Sequence, residues 1–306
     1  MKNSIEENNL IIKREELPAL YLAASKASQD AQRWYFRLII ANLLFLVVST
    51  LLSSINYGVD PIKSMLVIVA SLFLILSIIL TVIIQLIRLE KDWYAGRAMA
   101  ESVKTLSWRY ITGTVPYNVN LSQSKVNKLF SNNLTSILKE KKFLSGALGG
   151  KLSMQPQISD KMRWMRTLSV SYRKKAYVLN RIENQRHWYG DNAEKNKNKE
   201  RNTFFAIIIS ELLALGSFLI IIKYTNIVFN PVGFFSTIAT SMLAWLQVKQ
   251  YQELSQSYGL AAQELGVILE ESKSVQSDKE LSKFVLNSEN AISREHTMWI
   301  ARKEKI

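Results

Sequence analysis

The sequence has no cysteine and only two histidines, His187 and His296, among its 306 residues. Without cysteine, disulfide bonds and thiolate metal sites are excluded. With two histidines, a zinc or di-iron centre would depend almost wholly on carboxylates, so we expect no metal and no cofactor. The five prolines all fall at the boundaries of periodic segments rather than inside them. Long uninterrupted helices are therefore predicted.

Charged residues are almost absent from four long apolar stretches. A membrane's hydrocarbon core is about 30 Å thick, and about 20 helical residues are needed to cross it. The stretches form two hairpins, at about 38–55 and 65–87 and at about 203–222 and 229–248, and Glu211 is the only charged residue within them. The fourth stretch is the weakest, with a short apolar core at 232–246. The sequence predicts an all-α integral membrane protein with four transmembrane helices in two hairpins.

Positive charge lies almost entirely outside the two hairpins. Of the 39 lysines and arginines, only Lys63 and Lys223 lie within them. Because basic residues stay on the cytoplasmic side, we expect a multi-pass protein of the bacterial inner membrane with both termini and the 88–202 region in the cytoplasm. The net charge of +14 suits a body held near the anionic inner leaflet of the bilayer. A nucleotide or nucleic acid could use the same positive field, but specific nucleic-acid binding is not expected.

The segments outside the hairpins are also predicted to be helical. Apolar residues recur there at spacings of three and four, which marks one face of a helix. The predicted helices are 18–37, 88–113, 121–144, a long helix that starts near Ser159, 249–273 and 278–303. We interpret them as long helical extensions of the spans that form a cytosolic helical bundle. A coiled-coil seam between protomers is the alternative.

The chain divides into two similar units. Each has a helix, a hairpin and a second helix in the same order, which indicates an internal repeat. The glycines at 146, 149 and 150 mark a turn between the halves. We therefore predict a first two-transmembrane unit at 1–150 and a second at 151–306.

Three stretches carry a family resemblance. Residues 93–104 (WYAGRAMAESVK), followed by Trp108-Arg109-Tyr110, resemble the first helix after the hairpin of SLATT proteins, the SMODS- and SLOG-associating two-transmembrane effectors. Residues 181–189 (RIENQRHWY) and 289–299 (ENAISREHTMW) resemble a second such unit. The resemblance implies a tandem SLATT protein. It also implies an effector of a bacterial conflict or antiphage system that is proposed to form pores when an upstream sensor fires.

Glu211 is the most unusual residue of the spans because it lies near the middle of the third one. An ionised carboxylate at that depth costs roughly 2.5–3.5 kcal/mol, so such residues usually face a bundle interior or water. An antiparallel register that pairs residues 203 and 247 sets Glu211 near Ser236, Thr237 and Thr240. We interpret these four residues as candidates for a pore-lining or gating face in an oligomer. The alternative is a protonated Glu211 that hydrogen-bonds a neighbouring helix.

Asn42 and Gln85 are polar residues inside the first hairpin. A register with residue 37 opposite residue 88 lets the two amides reach each other. Interhelical hydrogen bonds of this kind contribute on the order of 1 kcal/mol. We predict a polar packing contact between them.

Aromatic residues cluster where the spans should meet the cytoplasmic interface. Tryptophan and tyrosine at that depth fix the position of a helix in the membrane. We therefore assign Trp34, Tyr35, Trp93, Tyr94 and Trp245 as interfacial anchors. Stacking on a ligand is the alternative for these rings.

Common enzyme signatures are missing from the sequence. It has no Gly-x-x-x-x-Gly-Lys-Ser/Thr loop, no His-Glu-x-x-His and no Gly-x-Ser-x-Gly, so we expect no catalysis. The leading hypothesis is a membrane effector that forms homo-oligomers and permeabilises or depolarises the inner membrane when a sensor protein or a nucleotide signals to it. The alternative is a membrane-anchored helical scaffold or sensor without a pore. A secondary transporter is expected to have spans that are broken by glycine or proline. The first three spans contain a single glycine, Gly216, and no proline, which argues against this class.

Overall fold

The computed structural model describes residues 6–55, 60–150, 154–224 and 229–303. These residues are mainly helical and contain no β-strand, which confirms the predicted all-α class. A π-helical turn, Val178–Glu183, precedes α7, and short 3-10 turns lie at Glu7–Leu10, Arg14–Glu16, Lys142–Leu144 and Ser272–Ser274. The α-helices are α1 (Ala19–Ser53), α2 (Asp60–Ile87), α3 (Leu89–Thr112), α4 (Gln123–Glu140), α5 (Asp160–Arg166), α6 (Val170–Tyr177), α7 (Asn184–Lys223), α8 (Pro231–Lys249), α9 (Tyr251–Glu271) and α10 (Asp278–Lys303).

Four helical stretches are long and apolar enough to cross a membrane, as predicted. They lie within Ala19–Ser53, Pro61–Thr112, Val170–Lys223 and Pro231–Ser274. The weak fourth span reaches the required length because the 19 residues of α8 extend about 28 Å. Its start is defined by Pro231 at the first helical position and by Asn230, whose side-chain oxygen accepts a hydrogen bond from the Val232 N–H at 3.2 Å.

The chain folds into two compact units. The first, which we call the helical body, comprises Met1–Gln32, Glu90–Asn192 and Ser257–Ile306. The second, which we call the span unit, comprises Arg33–Leu89 and Ala193–Gln256. The predicted sequence halves, 1–150 and 151–306, each contribute residues to both units.

The core of the helical body is rich in aromatic side chains. Tyr110, Tyr117 and Phe130 are fully buried, and their ring centroids lie 5.1 to 6.0 Å apart. These tilted and edge-on contacts pack α4 against the end of α3. The predicted start at Ser159 is also present, because the Ser159 hydroxyl accepts a hydrogen bond from the N–H of buried Met162 at 3.2 Å.

The long helix predicted from Ser159 is interrupted. α5 ends at Arg166, and α6 begins at Val170 after Ser169 takes an extended backbone conformation. Apolar residues at spacings of three and four are buried on both sides of the break, with Met165 before it and Ala176 after it. The spacing of apolar residues therefore identified the buried face but not the break.

Two buried arginines flank this break and bind the end of α3. Arg166 donates hydrogen bonds to the carbonyl oxygens of Tyr110 and Tyr117, at 3.0 and 2.6 Å. Arg173 donates to the carbonyl oxygen of Thr112. The last carbonyl groups of a helix have no partner within the helix and attract cations. The broken segment thus supplies two side chains that cap the C-terminus of α3.

In the span unit, α1 packs against both α2 and α8. On one side, the Ser49 hydroxyl donates to the carbonyl oxygen of Ala70 at 2.9 Å. On the other side, the hydroxyls of Thr50 and Thr237 lie 3.3 Å apart. α1 therefore connects the first hairpin to the second.

The turns of the two hairpins also meet. The N–H of Asn230 donates to the carbonyl oxygen of Ser54 at 2.8 Å. Beside this bond, Ile55 and Phe229 form an isolated antiparallel β-bridge. Backbone hydrogen bonding thus joins the hairpins at the end where each turns back.

The second span of each hairpin ends at a residue in the left-handed conformation. Arg88, between α2 and α3, and Gln250, between α8 and α9, both have φ of 51°. The predicted helix at 88–113 is interpreted above as an extension of the second span, and the structure corrects this interpretation because Arg88 separates α2 from α3. A non-glycine residue in this conformation costs roughly 1–2 kcal/mol. The same break at the same point of both halves supports an internal repeat.

Candidate functional site

Glu211 lies on the exposed surface of the span unit. The buried face of α7 in this unit consists mainly of small residues, including Ser210, Ala214 and Ser217. Both serine hydroxyls donate to carbonyl oxygens one turn earlier in their own helix, at 2.9 and 2.7 Å. Glu211 lies beside this face, and no residue that the structure describes forms a hydrogen bond or ion pair with its carboxylate. The acid is therefore directed away from the packed interior.

An exposed apolar stripe of α7 runs through Glu211, and we call it the Glu211 stripe. Successive members of the stripe are alternately four and three residues apart along α7. This spacing averages 3.5 residues per turn, which is the period at which helices pack along a left-handed seam. The other members of the stripe are large, apolar and exposed: Phe204, Ile208, Leu215, Phe218 and Ile222. Glu211 is thus the single charged residue of this exposed apolar stripe.

The predicted partners of Glu211 line a separate groove of about 290 Å³. Ser236, Thr237 and Thr240 lie on its α8 side, and α1 supplies the opposite wall with Leu43 and Leu46. Glu211 does not line this groove. The Thr240 hydroxyl donates to the Ser236 carbonyl oxygen at 2.9 Å, and the Thr237 hydroxyl to that of Gly233 at 2.8 Å. Within one chain the four candidates do not meet, and their role in gating stays a prediction.

Asn42 makes an interhelical contact with partners other than the predicted Gln85. Its side-chain oxygen accepts a hydrogen bond from the Ser77 hydroxyl, and its amide donates to the Thr81 hydroxyl at 3.2 Å. Gln85 is exposed one turn further along α2. The prediction placed residue 37 opposite residue 88, whereas the structure places Asn42 opposite Ser77.

The five predicted interfacial anchors lie in two environments. Trp34, Tyr35 and Trp245 belong to the span unit, and Trp34 is 55% exposed. Trp93 and Tyr94 belong to the helical body, where their rings stack with centroids 4.7 Å apart and Trp93 is buried. A buried indole has little surface to place in a bilayer, so anchoring suits Trp34 better than Trp93.

The helical body contains a buried ion pair that was not predicted. Arg181 donates to both oxygens of Glu289, from Nε at 3.0 Å and from Nη2 at 2.8 Å. Its Nη1 lies 3.4 Å from a carboxylate oxygen of Glu101. The hydroxyls of Thr105 and Tyr177 also donate to Glu289. We call these five residues the charge cluster.

Electrostatic interactions keep the central pair of the charge cluster ionised. The side chains of Arg181 and Glu289 are 1% and 0% exposed. Burial alone would raise the pKa of Glu289, but the charge of Arg181 and the hydrogen bonds to the carboxylate hold that pKa below its usual range. Burial would likewise lower the pKa of Arg181, yet the two carboxylates raise it. Nearby Lys104 differs, because burial and then repulsion by Arg181 lower its pKa.

Two family models match the chain, one after the other. Residues 18–174 match SMODS and SLOG-associating 2TM effector domain 3 (SLATT_3), and residues 177–299 match SMODS and SLOG-associating 2TM effector domain 1 (SLATT_1). The chain belongs to the SLATT family. No curated protein and no solved structure matches the chain. The predicted tandem SLATT arrangement is confirmed. The protein therefore carries a pair of effector domains, each of the two-transmembrane type that is linked to conflict systems.

The charge cluster joins the two SLATT domains within the helical body. Glu101 and Thr105 belong to the first domain, whereas Tyr177, Arg181 and Glu289 belong to the second. Glu101, Arg181 and Glu289 also come from the three stretches on which the family resemblance rests. The cluster therefore gives these stretches a shared structural role.

One signal in the sequence pointed to the charge cluster. Glu289 lies on the apolar stripe of α10, four residues after Val285 and three before Ile292, and both of these are buried. A carboxylate at such a position needs a buried cation or several donors. The sequence does not identify which of its 39 basic residues supplies the charge.

Proposed function

We propose that this tandem SLATT chain is the membrane effector of a bacterial antiphage or other conflict system. In this proposal it forms homo-oligomers in the inner membrane and permeabilises or depolarises that membrane after an upstream signal. It acts without catalysis and without a cofactor. The observation that carries the proposal is Glu211, a carboxylate in the middle of a span and on the surface of the span unit.

An exposed carboxylate within a span is costly for a chain surrounded by lipid. An acidic group at the bilayer centre costs roughly 2.5–3.5 kcal/mol on insertion scales. A second copy packed along the Glu211 stripe removes the carboxylate from lipid and offers it a partner or shared water. Several copies around one axis would place their Glu211 carboxylates along a hydrated path, as acidic rings do in cation channels. One surface thus supports both association and permeation.

The proposed orientation places the helical body and both termini in the cytoplasm. Basic residues outside the spans favour that side and the anionic inner leaflet. The upstream partner, a sensor protein or a nucleotide, would meet the helical body there.

Membrane potential in bacterial cells that express the chain tests the proposal. Glu211→Leu removes the polar group from the path and should slow depolarisation by roughly tenfold or more, which corresponds to about 1.4 kcal/mol or more. Glu211→Gln should have a smaller effect because an amide still holds water. Glu200→Gln is the matched control, since it removes a carboxylate from α7 outside the span and should behave as wild type. Wild-type depolarisation by both Glu211 variants at equal abundance would contradict the proposal.

A membrane-anchored helical scaffold or sensor without a pore is the second candidate function. It is favoured by α2, whose surface from Met65 to Ile87 is uncharged and largely exposed, as suits a lipid anchor. An anchor should leave the membrane potential intact even when the chain is abundant and the upstream signal is present.

A further inference from the structure

A cleft of about 450 Å³ opens in the helical body between α3, α4 and α10. Its volume falls within the range of about 300–1,000 Å³ that is usual for small-molecule sites. Polar side chains that do not belong to the charge cluster line much of it: Ser102, Arg109, Asn133, Ser136 and Ser293. Among the lining residues that the structure describes, none is aromatic.

Arg109 lines this cleft, and its guanidinium includes a donor without a partner in the described part of the chain. Its Nε is buried and has no hydrogen-bond partner among the residues that the structure describes. A buried polar group without a partner costs about 1–3 kcal/mol, and more when it is charged. Buried donors are nearly always satisfied in folded proteins. The Arg109 guanidinium therefore has donors to offer to a ligand, because no residue that the structure describes accepts a hydrogen bond from it.

The two ends of the cleft differ in charge. Arg109 and Glu101 both line it from α3 and lie eight residues apart, so about 12 Å of helix separates them. Near Glu101, Arg181 already binds two carboxylates and offers little attraction to a further anion. The Arg109 end suits an oxyanion, because a guanidinium binds phosphate through a fork of N–H donors. The Glu101 end suits hydroxyl groups that can donate hydrogen bonds.

We propose that this cleft binds a small, hydroxyl-rich phosphate monoester, with its phosphate on Arg109 and its hydroxyls directed toward Ser102 and Glu101. A sugar phosphate has this chemistry and this polarity. The binding site is a property of the helical body and does not depend on whether the spans permeabilise a membrane.

Calorimetric titration of the purified full chain in detergent tests this site with three probes. Ribose 5-phosphate should bind more tightly than inorganic phosphate, which lacks the hydroxyls, and more tightly than ribose, which lacks the phosphate. No binding of ribose 5-phosphate at millimolar concentration would overturn the proposal. Equal affinity for ribose 5-phosphate and inorganic phosphate would also overturn it.

Two test variants, each with its own control variant, locate the site. Arg109→Gln should weaken ribose 5-phosphate binding about 10- to 100-fold, as expected for a lost hydrogen bond to a charged group. Arg163→Gln is its control, because exposed Arg163 pairs with Asp160 and does not line the cleft. Ser102→Glu should also weaken binding by charge repulsion, whereas Ser102→Gln adds similar bulk without charge and should weaken it less. Unchanged affinity in Arg109→Gln would overturn the proposal and would leave the depolarisation test of Glu211 unaffected.

Discussion

At the scale of single residues, the charge cluster places the strictest requirement on the sequence. Glu289→Gln removes one charge of a fully buried ion pair and leaves the Arg181 guanidinium without its main counter-charge. Losing one partner of such a pair costs about 3–5 kcal/mol. We expect a loss of this size in the free energy of unfolding at pH 7, measured by denaturant unfolding of the purified chain. Glu270→Gln, which affects a surface pair with Lys273, should cost under about 1 kcal/mol.

The pH dependence of stability provides a second test of the role of Glu289. The folded-state pKa of Glu289 lies below that of an unfolded glutamate, which is about 4.3. Its ionisation therefore stabilises the folded chain above about pH 4.3, and this contribution is lost as the pH falls through the lower folded pKa. The difference in stability between wild type and Glu289→Gln should shrink at pH 3. An unchanged difference would mean that the charge of Glu289 is not what stabilises the fold.

At the scale of elements, α1 and α3 make a close backbone approach within the helical body. A Cβ atom at Gly96 would lie 3.1 Å from both Cβ and N of Ser28 and 3.2 Å from the carbonyl oxygen of Ala24. Gly96→Ala should therefore lower the free energy of unfolding by about 1–3 kcal/mol, although alanine favours helix. Thermal unfolding measures the change.

Gly259 offers the matched control for this contact. It lies in α9, which follows the second hairpin as α3 follows the first, and nothing lies within 4 Å of a Cβ at this position. Gly259→Ala should raise stability by roughly 0.5–1 kcal/mol because it removes backbone freedom from the unfolded chain. Similar responses at the two glycines would contradict the close approach at Gly96.

The helices and the spans could be predicted from the sequence because apolar spacing and segment length are local properties. The breaks at Arg88, at Gln250 and after Arg166 could not, since no proline or glycine marks them. Tertiary contacts accompany at least one of these breaks, because Arg166 binds carbonyl groups near the end of α3.

The candidate sites also combine features that the sequence shows locally with features that depend on the fold. Glu211 was identified by its charge alone, but the face of α7 that carries it depends on how four spans pack together. The pair of Arg181 and Glu289 joins residues 108 positions apart, a distance over which spacing patterns carry no information.

At the scale of the whole molecule, the lack of cysteine makes the proposed oligomer directly testable. Leu215→Cys places a thiol on the Glu211 stripe, and Ile209→Cys places one on another face of the same helix; the native side chains are 60% and 57% exposed. Two cysteines form a disulfide only when their Cα atoms come within about 7 Å. Oxidation in membranes should give disulfide-linked dimers of Leu215→Cys but few of Ile209→Cys on a non-reducing gel. Equal yields would argue against contact along the stripe.

The β-bridge between Ile55 and Phe229 joins two hairpins that one chain already holds together. Bringing two separate hairpins together would cost roughly 4–15 kcal/mol in translational and rotational freedom. Covalent linkage lowers that cost for the two hairpins of one chain, because their contact becomes intramolecular. The proposed oligomer therefore needs half as many molecules as an assembly of single-hairpin subunits with the same number of hairpins. Its formation should consequently respond less steeply to the number of copies in the cell.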